Sequence, residues 1–324
     1  MIKGFVTGGF RPMHLGHEAL IEYAKKHCDE LIVLVADPPN SEIPYKYRLK
    51  WVLSTYLDDP QIEVFGDIVK EPIHKNPTQK SLWWAKYIKM RFGKIDRVFS
   101  SENYGVVFAE TMGAEHWLCD FERTEIPVSG TMIREKPLTN WEYINNFAKD
   151  YFVQKIAIVG TESTGKTVLT KQLAEYYNTT WCPELGRELI PDTNKCILKD
   201  LKNVGIEHAK HILKYTRLSN KLLFVDTDLT ITKSYAKFLF NIEINFEPWV
   251  EKANECNLYI YLDSNAPYVQ DGTRMATGGR ILLDNSHLKL FSQNGIELKQ
   301  FKFTTYNDRF NEIIKCIDQF INKL

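Results

Sequence analysis

The sequence predicts an α/β protein of two domains, each built on a parallel sheet that is covered by helices. Strand-like and helix-like segments alternate from residue 1 to about residue 135, and the alternation restarts at residue 155. Each series begins with an apolar strand that runs directly into a glycine-rich loop. The 324 residues are also enough to bury two separate hydrophobic cores.

The first series contains four candidate strands, all of them apolar runs rich in Val, Ile and Phe. They lie at residues 3–7, 31–36, 62–65 and 97–101. Between them, residues 16–28, 45–57 and 79–92 carry the apolar spacing of amphipathic helices. We therefore expect a Rossmann-like domain over residues 1–136.

The second series predicts another parallel sheet over residues 154–324. Its candidate strands lie at residues 155–159, 180–183, 222–226, 258–262 and 298–303, and residues 307–322 form its last helix. Residues 137–153, between the two series, are polar and aromatic. They are expected to form a packed connector helix and not a flexible linker.

The composition excludes several classes of function. Lys+Arg and Asp+Glu are both 41, so no overall positive field favours nucleic acid as a partner. The apolar runs are strand-sized and too short to span a membrane, and the first residues do not have the pattern of a signal peptide. Six cysteines without a CxxC pair indicate reduced thiols, and thus a cytoplasmic protein.

The first glycine-rich loop, residues 8–17, has the sequence Gly-Gly-Phe-Arg-Pro-Met-His-Leu-Gly-His. Gly8 and Gly9 allow the backbone to approach a ligand closely, and Gly16 opens a helix whose N-terminus attracts phosphate. His14 and His17 can both face that phosphate and donate hydrogen bonds to its developing charge. Two histidines without a third ligand make a metal site the weaker interpretation.

This loop resembles the HxGH nucleotidyltransferase superfamily, whose second signature is Ser-x-Thr-x-x-Arg. Here that signature corresponds to Ser129, Thr131 and Arg134, which could hold the triphosphate and the leaving pyrophosphate. Alone, Ser129 to Thr131 would be interpreted as an ordinary helix N-cap. Family members often carry a serine at Gly130, so this chain lacks one hydroxyl there but keeps the anion-binding backbone.

The resemblance implies that an acceptor phosphate attacks the α-phosphate of ATP and that pyrophosphate leaves. The attacking oxygen is already anionic, so no general base is needed. Positioning and charge stabilisation by His14, His17, Arg134 and Mg²⁺ then suffice for this reaction.

The second glycine-rich loop, residues 160–167, fits the P-loop pattern G-x-x-x-x-G-K-[ST] between a strand and a helix. Its backbone N–H groups would wrap phosphate oxygens, Lys166 would bridge the β- and γ-phosphates, and Thr167 would ligate Mg²⁺. The residues expected to contact this nucleotide are Gly160, Glu162, Ser163, Thr164, Gly165 and Thr167.

Acidic residues follow the next two strands of this domain, where side chains point into the ligand crevice of an open sheet. Glu184, Asp226 and Asp228 are candidates to accept a hydroxyl proton, bind a ribose or, with Thr167, hold Mg²⁺. Taken singly, each could be a solvated loop acid. Arg187 could clamp a phosphate or pair with a neighbouring acid.

Two short segments, residues 271–274 and 278–280, have the composition of a mobile lid. Arg274 and Arg280 would supply positive charge to the phosphoryl group as it is transferred.

Taken together, the two loops resemble the NadR-type bifunctional enzymes over nearly the whole chain. The resemblance also rests on residues 100–105, 183–188, 226–228 and 268–274. It implies a kinase that phosphorylates the 5′-hydroxyl of nicotinamide riboside and an adenylyltransferase that converts the mononucleotide (NMN) to NAD. The small-molecule partners would be ATP, NMN and nicotinamide riboside, with no nucleic acid or membrane. The oligomeric state stays open, a homo-oligomer included.

The resemblance also assigns ligand contacts in the first domain. One indole of the pair Trp83 and Trp84 could stack on the pyridinium, while the other packs in the core. The residues assigned to nucleotide binding in this domain are Gly8, Gly9, Phe10, Arg11, Gly16, Trp83, Ser101, Glu102, Tyr104, Ser129 and Thr131.

The sequence leaves three alternative functions to be weighed against the NadR-type resemblance. A coenzyme A synthase-like fusion has the same domain order, but Arg11, the Ser-Ser-Glu segment at residues 100–102 and Asp-Thr-Asp at 226–228 disfavour it. A sensor that binds NAD or ATP without turnover is favoured only by Gly130. A transcriptional regulator is disfavoured, because the first strand is expected at about residue 2 and the net charge is zero.

Overall fold

The computed structural model describes residues 1–37, 41–67, 77–101, 104–119, 124, 126–190, 195–264, 277–302 and 305–324. The chain divides into two compact units, Met1–Tyr151 and Phe152–Leu324. Each unit contains a five-stranded parallel sheet with helices between its strands. The α/β class and the two parallel sheets expected from the sequence are therefore confirmed.

The sheet of the first unit has the strand order β3-β2-β1-β4-β5. Phe5 of its central strand packs with Leu34, Ile88 and Phe108 in a buried apolar cluster. The elements are β1 Lys3–Gly8, α1 Leu15–Lys25, β2 Glu30–Ala36, α2 Tyr45–Thr55, β3 Ile62–Asp67, α3 Pro77–Phe92, β4 Arg97–Ser100, α4 Tyr104–Met112, β5 Glu115–Leu118, α5 Gly130–Glu135 and α6 Lys149–Phe152.

This strand order places the first glycine-rich loop at the ligand crevice of the sheet. The chain moves outward from β1 to β2 and β3 and then returns to the other side of β1 as β4. The carboxyl ends of β1 and β4 therefore border the switch point, where open α/β sheets bind ligands.

Two parts of the first unit differ from the expectation. Strand β5 was not predicted, because its four residues carry little of the apolar β-branched signal and lie partly exposed at the sheet edge. Residues 137–153 form a short 3-10 helix, Trp141–Tyr143, and the one-turn helix α6 in place of one continuous helix. The Asn145 backbone N–H donates to the Met13 carbonyl at 3.2 Å, a bond to the first loop that a continuous helix would use internally.

The sheet of the second unit has the order β10-β9-β6-β8-β7, again with its first strand in the centre. Residues 156–159 of that strand are fully buried. The elements are β6 Gln154–Gly160, α7 Lys166–Tyr176, β7 Thr180–Cys182, α8 Gly186–Leu189, α9 Leu198–Leu218, β8 Leu222–Asp226, α10 Leu229–Phe240, α11 Pro248–Asn254, β9 Leu258–Leu262, α12 Thr277–Gln293, β10 Leu298–Phe301 and α13 Tyr306–Ile321.

The six cysteines are free thiols. Burial raises the pKa of the Cys256 thiol to about 12, so this group stays protonated near neutral pH. Within the described ranges, none of the helices is both long and apolar enough to cross a bilayer.

Candidate active sites

The two histidines of the first loop lie together at the start of α1. His14 is the N-cap residue, and its ring stacks on that of His17 with 3.8 Å between the ring centres. The backbone N–H of His14 donates to Nδ1 of His17 at 3.3 Å. A neutral His17 ring that accepts at Nδ1 carries its proton on Nε2, which makes Nε2 a hydrogen-bond donor.

Arg134 joins the second signature to the first loop. Its Nη1 donates to the Arg11 carbonyl at 2.6 Å, and its Nη2 donates to the Thr131 hydroxyl at 3.2 Å. Its Nε lies 3.1 Å from a carboxylate oxygen of Glu42. Ser129 caps α5 by accepting the Met132 N–H at 3.2 Å. Glu42 was not anticipated, because an exposed glutamate in a loop belongs to no sequence pattern.

The residues of both signatures line one cavity of about 1030 Å³, which is large for a small-molecule site. Trp84 also lines it, whereas Trp83 stacks on Tyr87 at 5.6 Å. The geometry thus favours Trp84 over the predicted Trp83 as the indole beside a ligand. The predicted residues along the cavity are Gly8, Gly9, Phe10, Arg11, His14, Gly16, His17, Ser101, Ser129, Thr131 and Arg134.

The cavity continues to the ends of β4 and β5. There the Ser100 hydroxyl lies 2.9 Å from Nε2 of His116, and burial lowers the pKa of this histidine. His116 was not anticipated, because it belongs to the strand that the sequence did not reveal. Glu102 lies outside the described residues, and so does the side chain of Tyr104.

Gly130, the departure from the family signature, has a structural reason. A Cβ atom here would lie within 3.0 Å of the Arg11 carbonyl oxygen, which is the acceptor for Arg134. The backbone of α5 therefore approaches the first loop too closely for any side chain.

We expect Gly130→Ser, which restores the residue common in the HxGH superfamily, to lower the adenylyl transfer that the resemblance implies and not to improve it. Overpacking against a backbone oxygen should also destabilise the first unit by about 1–3 kcal/mol. The rate of that transfer and the thermal unfolding of the variant measure both effects. Met132→Ser, at an exposed position of the same helix, is the control and should change neither. A faster Gly130→Ser enzyme would contradict this explanation.

The P-loop connects β6 to α7 in the conformation that its pattern requires. Gly165 is the N-cap of α7 with φ of 86°, a left-handed conformation that favours glycine. The Lys166 ammonium donates to the Thr161 carbonyl at 2.9 Å, and the Thr164 hydroxyl donates to the same oxygen at 2.9 Å. The loop is therefore closed on itself around the position where a phosphate would lie.

Thr167 and Asp226 lie side by side below this loop. The Thr167 hydroxyl donates to Oδ2 of Asp226 at 2.6 Å, and Asp226 is fully buried. A hydroxyl beside one carboxylate is the kind of protein contribution with which Mg²⁺ is held next to nucleotide phosphates. Both residues predicted to hold the metal are thus adjacent, and the donor set fits it.

Asp228 is in a different environment from Asp226. Its carboxylate accepts the Ile231 N–H at 3.1 Å as the N-cap of α10. It borders a second cavity of about 670 Å³, together with Lys233 and Glu251. No P-loop residue lines that cavity in the described part of the chain. A structural role thus accounts for Asp228, and its predicted contact with the nucleotide stays a prediction.

The pKa of Asp228 is raised to about 6 by burial. Between about pH 4 and 6 the folded state keeps a proton that the unfolded chain releases, so stability falls as the pH rises through this window. We expect Asp228→Asn, which can still cap the helix, to be more stable than the parent at pH 7.5, by at most roughly 3 kcal/mol.

Thermal unfolding at pH 7.5 and at pH 4 checks this expectation, because the advantage should vanish at the lower pH. Asp200→Asn is the matched control. Asp200 accepts the Ile197 N–H at 3.0 Å at the start of α9, but it is partly exposed. An equal gain for Asp228→Asn at both pH values would contradict burial of the charge as the cause.

The other predicted residues of this unit are only partly placed. Glu184 is partly buried between β7 and α8, with no hydrogen bond to Asp226 or the P-loop in the described structure. Arg280 is buried near the start of α12. Arg187 lies on α8, but the structure does not describe its side chain. Arg274 lies outside the described residues.

Three neighbours of the P-loop were not anticipated. The Tyr235 hydroxyl donates to Glu162 at 3.2 Å, and its ring lies edge-on to His287 at 5.3 Å. Burial and the Lys166 charge lower the pKa of His287 to about 3, so this imidazole is neutral. Arg309 of α13 is buried against Gly165. All three come from distant helices, where neither spacing nor motif marks them.

Both loops contain residues in the left-handed region of backbone space that are not glycine. Phe10 has φ of 46° in the first loop and Ser163 has φ of 62° in the second; Thr227, outside the loops in the turn after β8, has φ of 70°. Such conformations cost on the order of 1–3 kcal/mol each and concentrate at ligand sites.

Comparison with known proteins agrees with this geometry. Residues 5–136 match a family described as cytidylyltransferase-like, and residues 155–309 match one described as an AAA domain. The trifunctional NAD biosynthesis/regulator protein NadR of Salmonella typhimurium is 30% identical over 343 residues, which cover 97% of this chain and 82% of the relative.

Two crystal structures, NadR in complex with NR and NadR in complex with NAD and AMP-PNP, share the fold. They have TM-scores of 0.82 and 0.80 at 19% identity, and each match covers 99% of this chain and 96% of the other. The fold and the paired loops define an enzyme class in which a nucleotidyltransferase is joined to a P-loop kinase. Within that class, the chain belongs to the NadR family.

Proposed function

We propose that this protein makes NAD in two ATP-dependent steps, phosphorylation of nicotinamide riboside to NMN and adenylylation of NMN to NAD. The observation that carries the proposal is the pairing of two nucleotide loops, each at the crevice of its own sheet. The solved relatives with NR, and with NAD and AMP-PNP, support ligands of this class.

In the kinase step, the 5′-hydroxyl of the riboside attacks the γ-phosphorus of ATP, and ADP leaves. Mg²⁺, held by Thr167 and Asp226, would neutralise charge on the phosphate oxygens. Lys166 leaves the Thr161 carbonyl to contact the β- and γ-phosphates. The hydroxyl must lose its proton during transfer, and because Asp226 faces Thr167, Glu184 is the better candidate to accept it.

In the adenylyl step, a phosphate oxygen of NMN attacks the α-phosphorus of ATP, and the bond to pyrophosphate breaks. His17 donates from Nε2 to the α-phosphate as its charge grows, and His14 supports that ring by stacking. Arg134 and the hydroxyls of Ser129 and Thr131 hold the departing pyrophosphate.

We assign the adenylyl step to residues 1–136, the kinase step to residues 154–324 and the connection to residues 137–153. Trp84 and Ser101, at the end of the cavity near β4, are proposed to contact the nicotinamide nucleotide. The free thiols and the nature of the substrates fit a cytoplasmic location.

The test is incubation with Mg·ATP and nicotinamide riboside, followed by mass spectrometry for NMN and NAD. NMN supplied directly should give NAD without the kinase step. A parallel assay with nicotinic acid riboside measures the preference for nicotinamide over nicotinate. Turnover of phosphopantetheine as the sole accepted substrate would replace the proposal with a coenzyme A function. Binding of ATP and NAD without any product would identify a sensor.

A further inference from the structure

Arg48 of α2 is a fully buried cation that belongs to no sequence motif. Its Nη1 donates to the Gly9 carbonyl at 2.7 Å and to the Ala36 carbonyl at 2.8 Å. Its Nε donates to the Ile43 carbonyl at 3.0 Å, and its Nη2 pairs with Asp37. Four N–H groups of the planar guanidinium thus donate hydrogen bonds to three separate stretches of backbone and to one carboxylate.

These contacts lie where the β1–β2 ladder ends. Gly8 and Val35 form the last paired rung, and the chains then separate at Gly9 and Ala36. The Arg48 Nη1 group bonds both carbonyls just beyond that rung. It therefore fixes the direction in which the first loop leaves the sheet.

The same guanidinium also reaches the other side of the site. Ile43 follows Glu42, whose carboxylate pairs with Nε of Arg134 at 3.1 Å. Arg134 in turn donates to the Arg11 carbonyl of the first loop at 2.6 Å. Hydrogen bonds, one ion pair and short stretches of backbone thus form a closed ring. It passes from Arg48 through Ile43, Glu42, Arg134, Arg11 and Gly9 and returns to Arg48.

We propose that Arg48 is a positioning residue for adenylyl transfer, holding the histidine loop and Arg134 at the separation that the reaction requires. It touches no reacting atom. Arg48 acts by closing the ring. The histidine donors on one side of the α-phosphate and the Arg134 guanidinium on the other then cannot move independently. The inference rests on the proposed adenylyl step.

This role predicts a loss in kcat and not in substrate affinity. A displacement of about 1 Å in a catalytic group costs on the order of 10²-fold in rate. Arg48→Met should therefore lower kcat for NAD formation from NMN by 10- to 100-fold, with the KM for ATP within about threefold of the parent. Arg48→Lys keeps the charge without the fork and should be intermediate. Phosphorylation of nicotinamide riboside should be unchanged in both.

The matched control is Val52→Ala, a change at a fully buried apolar position of the same helix. It should lower the unfolding temperature but leave kcat unchanged when all variants are assayed below their transitions. The proposal is overturned if Arg48→Met loses no more kcat than Val52→Ala, or if its loss lies wholly in KM.

If Arg48→Met does not fold, Arg48→Lys decides by the same comparison with Val52→Ala. A parent enzyme that forms no NAD from NMN would refute the proposed function itself. Normal parent activity with fully active Arg48 variants would refute only the role of Arg48.

Discussion

Replacing His17 by alanine should lower the rate of NAD formation from NMN by about 10²- to 10³-fold, the usual cost of losing one donor to developing charge. Nδ1 of this histidine accepts the His14 N–H, so the lost Nε2 proton is the one that can face the α-phosphate. Steady-state kinetics with NMN and Mg·ATP measure the effect. The kinase step, assayed in the same preparation, should keep its rate.

His27→Ala is the matched control for that substitution. This histidine follows α1, lies against Trp117 at 4.8 Å and does not line the cavity in the described structure. Its replacement should leave NAD formation within a few-fold of the parent. Loss of both activities in a folded His17→Ala protein would contradict two separate sites, and a loss below tenfold would remove His17 from the chemistry.

Lys166→Ala should have the opposite effect, with loss of the kinase step and retention of the adenylyl step. The ammonium now donates to the Thr161 carbonyl and is the loop's only side-chain cation, so its removal leaves the transferring phosphoryl charge without that partner. We expect phosphorylation of nicotinamide riboside to fall by on the order of 10²- to 10³-fold. NAD formation from supplied NMN should not change.

Lys171→Ala, an exposed lysine on the same helix, controls for loss of charge and should retain kinase activity. Retained phosphorylation in Lys166→Ala would place the kinase reaction away from the P-loop. Together with His17→Ala, the result separates the two steps within one polypeptide, because each variant keeps the reaction that the other has lost.

The sequence predicted the sheets well because buried parallel strands are continuous apolar runs. Residues 222–226 and 258–262 coincide with β8 and β9, for example. The two phosphate loops were also readable, since their function depends on glycines and caps that are local in sequence. Residues 137–153 were not, because tertiary contacts such as that of Asn145 with Met13 decide their conformation, and strand β5 was not, because its residues carry little apolar β-branched signal.

The rest of the site depends on contacts that no local pattern records. Arg48 meets Gly9 from 39 residues away, and a buried arginine looks in sequence like any surface cation. The choice between Trp83 and Trp84 was equally hidden. Adjacent residues on a helix point about 100° apart, and only packing shows that Trp84 faces the cavity.

The left-handed backbone at Phe10, Ser163 and Thr227 has a practical consequence for engineering. Glycine at Ser163 would relax the main chain and could raise heat resistance, whereas glycine at Phe10 would also remove a buried aromatic side chain and leave a destabilising cavity. Ser163 also shapes the P-loop, so a gain in stability at this position would lower turnover. Stabilising changes are better sought on the outer helices, far from both loops.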